Sequence, residues 1–301
     1  IWVLHTDILY EPDEGSVDVK HVVATVSFSP NWASAFTSES VTLTCNVAPS
    51  AQGDPPYSWY KDGAPIGTKQ QSYTIVSAQV SDSGEYQCKS RSSDRSEAVT
   101  LTVSHDWLAL KVPLYVYEGD DLYVACAGYP GYSARNAVLY RGNEVIASSP
   151  SDGKFLVGTA NMAMSGSYSC TRQVKHLLIY YSYSSQAYIS VRELFSKPIV
   201  NASQNHLTEG DHMTITCDTE LRPHRETTEL QFAFYRNGHN VQGFSSSNQY
   251  GVSSAQPEDA GKYTCEVRTK SQTVQKRSNE INIEVTGEQF FALIVLHCLY
   301  Y

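Results

Sequence analysis

Apolar and polar side chains alternate in three short stretches that each end in cysteine: Ser40-Val41-Thr42-Leu43-Thr44-Cys45, Asp121-Leu122-Tyr123-Val124-Ala125-Cys126 and His212-Met213-Thr214-Ile215-Thr216-Cys217. A period of two puts each Cys on the side of its i−2 and i−4 neighbours, which predicts a half-buried strand with an inward thiol. Thirteen to seventeen residues on, an apolar run closes on a turn: Trp59-Tyr60-Lys61-Asp62-Gly63, Leu139-Tyr140-Arg141-Gly142 and Phe234-Tyr235-Arg236-Asn237-Gly238. Asp-Gly and Asn-Gly there predict tight hairpins. The second Cys of each unit ends Asp82-Ser83-Gly84-Glu85-Tyr86-Gln87-Cys88, Met164-Ser165-Gly166-Ser167-Tyr168-Ser169-Cys170 or Asp259-Ala260-Gly261-Lys262-Tyr263-Thr264-Cys265. One unit therefore occurs three times along the chain.

A Tyr two residues before the second Cys is the tyrosine corner of the immunoglobulin fold, and the Cys pair ties its two sheets through the core. The expected fold class is all-β: three tandem immunoglobulin-like (C2/I-type) β-sandwich domains, each with one inter-sheet disulfide. The pairs are Cys45–Cys88, Cys126–Cys170 and Cys217–Cys265, separated by 43, 44 and 48 residues, too few for the two extra strands of a variable-type domain. The second unit lacks both the Trp and the corner Asp, and the third has Phe234 at the Trp position. The expected division is an N-terminal segment over 1–20, domains over 21–104, 105–192 and 193–287, and an apolar tail over 288–301. Short junctions predict domains packed at fixed angles, with Trp107 and Phe195 filling the crevices.

Composition narrows the setting. With 41% hydrophobic and 18% charged residues, the 301-residue chain has enough apolar content for cores throughout. Its 21 tyrosines lean toward strands. A net charge of −9 with no basic cluster argues against nucleic acid as a partner. No two cysteines stand at metal-knuckle spacing, so disulfides and an extracytoplasmic compartment follow. Closing a loop of this length contributes about 4 kcal/mol in the chain-entropy model. No signal peptide is visible over Ile1 to Tyr10, which is expected if the sequence starts after one or is a fragment. The tail Phe290 to Tyr301, at 12 residues, is shorter than the ~20 a helical span needs. It reads either as the start of a truncated membrane span or as an irrelevant end.

From about Lys20 to Val285 the chain resembles the Fc receptor and Fc receptor-like family, and most closely its three-domain high-affinity immunoglobulin gamma type. The strings that carry the resemblance are Asp106-Trp107-Leu108-Ala109-Leu110 at the first junction, Val191-Arg192-Glu193-Leu194-Phe195 followed by Asn201-Ala202-Ser203 at the second, and Lys276-Arg277-Ser278 near the end. The resemblance implies a cell-surface receptor that binds immunoglobulin Fc, mainly through domain 2 and the domain 1/2 hinge, by clamping a proline between two aromatic walls. Trp107 stands at the first wall. Where the family reads Cys-His-Ser-Trp, this chain has Cys126-Ala127-Gly128-Tyr129, so Tyr129 would be the second. Lys175 and His176 stand where the high-affinity type has Lys-His in its F to G loop. Beyond them Leu177-Leu178-Ile179-Tyr180-Tyr181-Ser182-Tyr183 makes a longer, greasier hairpin.

Each of these has a plainer reading. Trp107 also serves as crevice filler, Tyr129 as an ordinary surface Tyr, Lys175 and His176 as loop residues. Asn201 opens the chain's one N-x-S/T sequon and is the expected glycosylation site. Cys298 is left unpaired by the arithmetic. No G-x-S-x-G, H-E-x-x-H or phosphate loop occurs, so neither an enzyme nor a cofactor or metal is expected. The expected partners are immunoglobulin Fc, IgG-like, or another cell-surface protein, together with an associated signalling subunit. The place is the outer face of the plasma membrane, and a secreted decoy form is a further reading.

Overall fold

The computed structural model describes residues 22–47, 55–149, 151–223 and 225–287; the 1–20 segment, the apolar tail and Cys298 lie outside them. The described strands fall into three groups. The first comprises β1 Thr25–Ser29, β2 Ser34–Phe36, β3 Val41–Asn46, β4 Ser58–Lys61, β5 Ala64–Ile66, β6 Ser72–Ile75, β7 Gly84–Lys89 and β8 Val99–Ser104. The second comprises β9 Leu108–Lys111, β10 Val116–Tyr117, β11 Asp121–Gly128, β12 Ala134–Arg141, β13 Glu144–Ser149, β14 Lys154–Thr159, β15 Gly166–His176, β16 Ile179–Ile189 and β17 Val191–Arg192. The third comprises β18 Ile199–Ala202, β19 His206–Thr208, β20 Met213–Asp218, β21 Leu230–Arg236, β22 His239–Ser245, β23 Gln249–Val252, β24 Gly261–Thr269, β25 Gln275–Arg277 and β26 Ile281–Thr286.

Each group forms two facing sheets. In the first these are β1-β3-β6 and β2-β8-β7-β4-β5; in the second β14-β11-β9 and β13-β12-β15-β16; in the third β18-β20-β23 and β19-β26-β24-β21-β22. The first strand of each sandwich switches sheets part-way, so that β2, β10 and β19 run parallel to β8, β17 and β26 and cover edges that would otherwise be open. The protein is all-β, with tandem immunoglobulin-like domains.

The period-two pattern dictates what lies inside. Leu43 and Cys45, Leu122, Val124 and Cys126, and Met213, Ile215 and Cys217 are all buried. Each Cys meets its partner across the core, Cys45 with Cys88, Cys126 with Cys170 and Cys217 with Cys265, at Cα separations of 5.9 to 6.0 Å. The corner tyrosines bond back to the backbone four residues upstream: Tyr86 to Asp82 O at 2.7 Å, Tyr168 to Met164 O at 2.9 Å and Tyr263 to Asp259 O at 2.8 Å. Where Trp59 fills the first core, Leu139 and Phe234 fill the others, all fully buried. An apolar residue of either size completes a sandwich once the disulfide fixes the sheet spacing.

The three sandwiches share side chains. Between the first and second, Ala33 N donates to Val112 O at 3.0 Å, and Lys111, 8% exposed, pairs with Glu39 at 2.7 Å. Between the second and third, Tyr117 is buried in the third core and its hydroxyl donates to Pro223 O at 3.1 Å. Lys276 pairs with Glu118 at 2.9 Å and Arg225 with Asp120. At Gly119, whose φ is +83°, a Cβ would lie 2.6 Å from Thr273 Oγ1 and 2.7 Å from Val274 Cγ2, so this approach needs glycine. Phe195 is not a crevice filler: it is fully buried within the third core, because the bridge from Phe195 to Leu221 turns its strand inward.

Tyr115 packs against both the first and third cores, under the Arg192 guanidinium at 5.1 Å, and burial pushes its phenol up to about 12. A cleft of about 490 Å³ lined by Val23, Tyr115, Tyr117, Arg192 and Pro223 draws on all three sandwiches.

Lys276→Ala leaves Glu118 partly buried without its cation and is expected to cost about 2 to 3 kcal/mol, read as a lower melting midpoint. The exposed Lys262–Glu280 pair supplies the control, since Lys262→Ala leaves the melt unchanged.

Candidate functional site

The second sandwich ends in its longest hairpin. Strands β15 and β16 pair over eleven residues each, from Gly166↔Ile189 to His176↔Ile179, and only Leu177 and Leu178 form the turn. A two-residue turn of this kind requires φ > 0, which favours Asn and Gly; Leu177 adopts φ 50° in their place. The turn is open to solvent: Leu177 is 95% exposed, Leu178 87% and Ile179 58%. Below it the Tyr180 ring carries the Arg135 guanidinium at 3.8 Å, with Lys175 Nζ at 6.0 Å. Residues 123–143 and 166–189 contain no Asp or Glu, although the whole chain is at −9. The hairpin end is therefore apolar at its tip and cationic on its flank.

Beside the hairpin lies a cluster of rings. Trp107 meets His176 at 3.6 Å between centroids, Tyr132 at 4.9 Å, Tyr129 at 6.1 Å and Tyr183 at 6.2 Å. Tyr132 comes in through the turn Tyr129-Pro130-Gly131-Tyr132, closed by Tyr132 N to Tyr129 O at 3.2 Å with Gly131 at φ 88°. Pro then Gly at the two central positions is the sequence signal for that turn, and it could have placed Tyr132 beside Tyr129 in advance.

A two-walled clamp sets a requirement on the gap between Trp107 and Tyr129. Holding a proline ring between two faces, each at a contact distance of 3.5 to 4.0 Å, needs parallel walls about 7 to 8 Å apart. Trp107 and Tyr129 instead meet at 63° with 6.1 Å between centroids, and His176 already covers the indole. Tyr129 is half-buried. It turns toward the first sandwich, with its ring 5.3 Å from Phe36 and its hydroxyl 2.7 Å from Thr37 Oγ1. Trp107 packs on rings of the second sandwich, among them Tyr129 at the junction with the first. Lys175 and His176 are the last residues of β15, not loop residues. His176 Nε2 is buried without a hydrogen-bond partner.

Behind these rings is a residue that the motif search passed over. Arg172 follows Cys170 by two, so it shares the inward face of β15 with Tyr168, Cys170 and Val174. It is 6% exposed, and burial lowers the pKa of its guanidinium, with Asp152 acting in the opposite sense. Asp152 is itself held below the usual carboxylate range, first by a hydrogen bond from Ser149 and then by Lys154 N.

Asn201 is exposed on β18, with Nδ2 donating to Asp218 Oδ2 at 3.0 Å. Among the described residues no group of three or more His, Cys, Asp and Glu could hold a metal ion, and no helix is long and apolar enough to cross a membrane.

With folds, corners and hairpin in view, comparison with known proteins is decisive. The immunoglobulin-domain family model matches residues 23–103 and 197–285, and the stretch between them is the unit without the Trp and the corner Asp. Human Fc receptor-like protein 3 is 34% identical over 289 residues, which is 95% of this chain and 38% of that protein. Mouse Fc receptor-like protein 5 is 30% identical over 86% of this chain and 44% of its own length, and mouse Fc receptor-like B 29% identical over 95% and 67%. The chain belongs to the immunoglobulin superfamily, in its Fc receptor-like group. What the match shows of this chain is its immunoglobulin domains and its likeness to Fc receptor-like proteins. It spans less than half the length of the first two relatives it matches.

Tyr129→Phe removes the hydroxyl contact to Thr37 and is expected to cost about 1 kcal/mol in urea or thermal melts, with the second sandwich's strands unchanged. Asn201→Gln is expected to abolish the mobility shift that peptide N-glycosidase produces in protein secreted from mammalian cells.

Proposed function

We propose that this stretch is the ligand-binding ectodomain of a receptor on the outer face of the plasma membrane, and that it grips a folded protein with the β15–β16 hairpin of its second domain. The observation that carries this reading is the Leu177-Leu178 turn, exposed by 95% and 87% with Leu177 at φ 50°. A left-handed conformation costs a non-glycine residue about 1 to 2 kcal/mol, and two exposed leucines forgo burial worth about 1.5 to 3 kcal/mol each. Glycine at position 177 would close the turn at less expense. Apolar side chains held at a strained tip have a use when another surface buries them.

Immunoglobulin Fc is the first ligand class, on the strength of family membership and of Lys175 and His176 at the base of the tip. A second reading, another cell-surface protein, is favoured by the closed packing of Trp107 with His176 and Tyr129, which admits no proline between the rings. In both readings the hairpin tip is the anchor and Trp107 supports its base.

Surface plasmon resonance of the oxidised ectodomain against immobilised immunoglobulins of each class tests this. Saturable binding to one class that falls at least a hundredfold in Leu177→Asp/Leu178→Asp, equivalent to about 2.7 kcal/mol, and less than tenfold in Trp107→Ala, fits the hairpin as an Fc anchor. Binding lost in Trp107→Ala and kept in the double variant returns the contact to the rings. No binding to any class by folded protein removes Fc and leaves the second reading.

A further inference from the structure

The second domain buries a charge that its two sister domains do not. The positions two residues after the second cysteine are Ser90, Arg172 and Val267, and all three are buried. A sandwich of this kind therefore needs no cation there. Among the described residues Arg172 makes no ion pair, only a longer-range attraction to Asp152, and its Nε has no hydrogen-bond partner. Taking an arginine out of water is unfavourable unless its nitrogens are held, so the reason for its presence is to be sought in what the other two hold.

They hold loop backbone. Nη1 donates to Cys126 O at 2.7 Å, where β11 runs into the turn that carries Tyr129 and Tyr132. Nη2 donates to Ala134 O at 3.4 Å, where that turn enters β12, and also to Ser151 O in the connection from β13 to β14. One side chain rooted in the hairpin strand thus spans both ends of one loop and the middle of another. The second loop is shaped to receive it. Gly153 adopts φ 70°, Cys126 N donates to Gly153 O at 2.8 Å, and a Cβ at Gly153 would lie 2.5 Å from Arg172 Nη1 and 2.6 Å from Cys126 O. The planar fork of a guanidinium can reach three carbonyls at fixed angles, which neither Ser nor Val at this position could do.

We infer that Arg172 is a positioning residue for the ligand-facing end of the second domain: a buried guanidinium that fixes the loops over 129–133 and 151–153 relative to the β15–β16 hairpin. It touches no ligand. It sets where the Tyr129-Pro130-Gly131-Tyr132 turn stands, and through Tyr132 and Trp107 it sets the base on which the hairpin rests. That this end faces a ligand rests on the reading proposed above; that Arg172 orders the loops does not.

Backbone hydrogen exchange of the complete ectodomain, read by mass spectrometry, tests the inference without a ligand. In Arg172→Met, exchange over 129–133 and 151–153 is expected to rise at least tenfold, while β11 and β15 around Cys126–Cys170 stay protected and the melting midpoint moves by less than about 4 °C. Arg172→Lys, with a cation but no fork, is expected to recover part of the protection. Gly153→Ala, which pushes on the guanidinium from the other side, should give the same local signature and serves if Arg172→Met does not fold. Unchanged loops in folded Arg172→Met, or a rise spread evenly over the whole second sandwich with a large fall in melting midpoint, overturns the inference. Against whichever immunoglobulin binds wild type, Arg172→Met should weaken binding about threefold to fivefold, within the range allowed for Trp107→Ala, with Arg172→Lys between. If no immunoglobulin binds wild type, that result counts against Fc as ligand and leaves the exchange measurement to decide on Arg172.

Discussion

The segment from Trp107 to Gly119 is the spine on which the three domains hang. Within thirteen positions it sends Trp107 into the ring cluster, Lys111 to Glu39 of the first domain, Tyr115 against the first and third cores, and Tyr117 into the third core. Glu118 and Gly119 then receive Lys276 and Val274 from the third domain. Short junctions make this possible, because a chain with no slack between sandwiches must bring their surfaces into contact. The consequence is an ectodomain whose domain angles are set by buried side chains rather than by linker length.

The internal logic of each sandwich was legible because it is local. An inward Cys at the end of an alternating strand, a hairpin with Asp-Gly or Asn-Gly, and Tyr two before the second Cys are fixed by backbone geometry over a few residues, whatever surrounds them. Gly84 and Gly261 show how tight that geometry is: at φ 151° and 145°, each leaves a Cβ position within 2.7 Å of the Asp62 or Asn237 side chain from the hairpin opposite. The sheet-switching strands β2, β10 and β19 were not legible, since two or three residues carry no period.

The candidate site was legible only as a neighbourhood. Trp107, Tyr129, Lys175 and His176 do gather at one end of the second domain, but their roles depend on tertiary contacts that no local pattern encodes. Tyr129 faces Phe36 and Thr37, more than ninety positions earlier in the chain. Arg172 is the instructive omission. Its inward parity could be counted from Cys170, and a charged residue on an inward position is a conflict that the sequence displays openly. The family resemblance points to Trp107, Tyr129, Lys175 and His176 and not to Arg172.

The charge distribution has a kinetic side. The hairpin end, with Arg135 and Lys175 and no Asp or Glu over 123–143 and 166–189, is locally cationic beside its apolar tip. An approaching surface of acidic character would feel a torque that turns the tip toward it before any atoms touch. At physiological ionic strength such guidance reaches only about 8 Å. It would shorten the last step of an encounter and fade as salt is added, leaving the lifetime of the complex to the leucines.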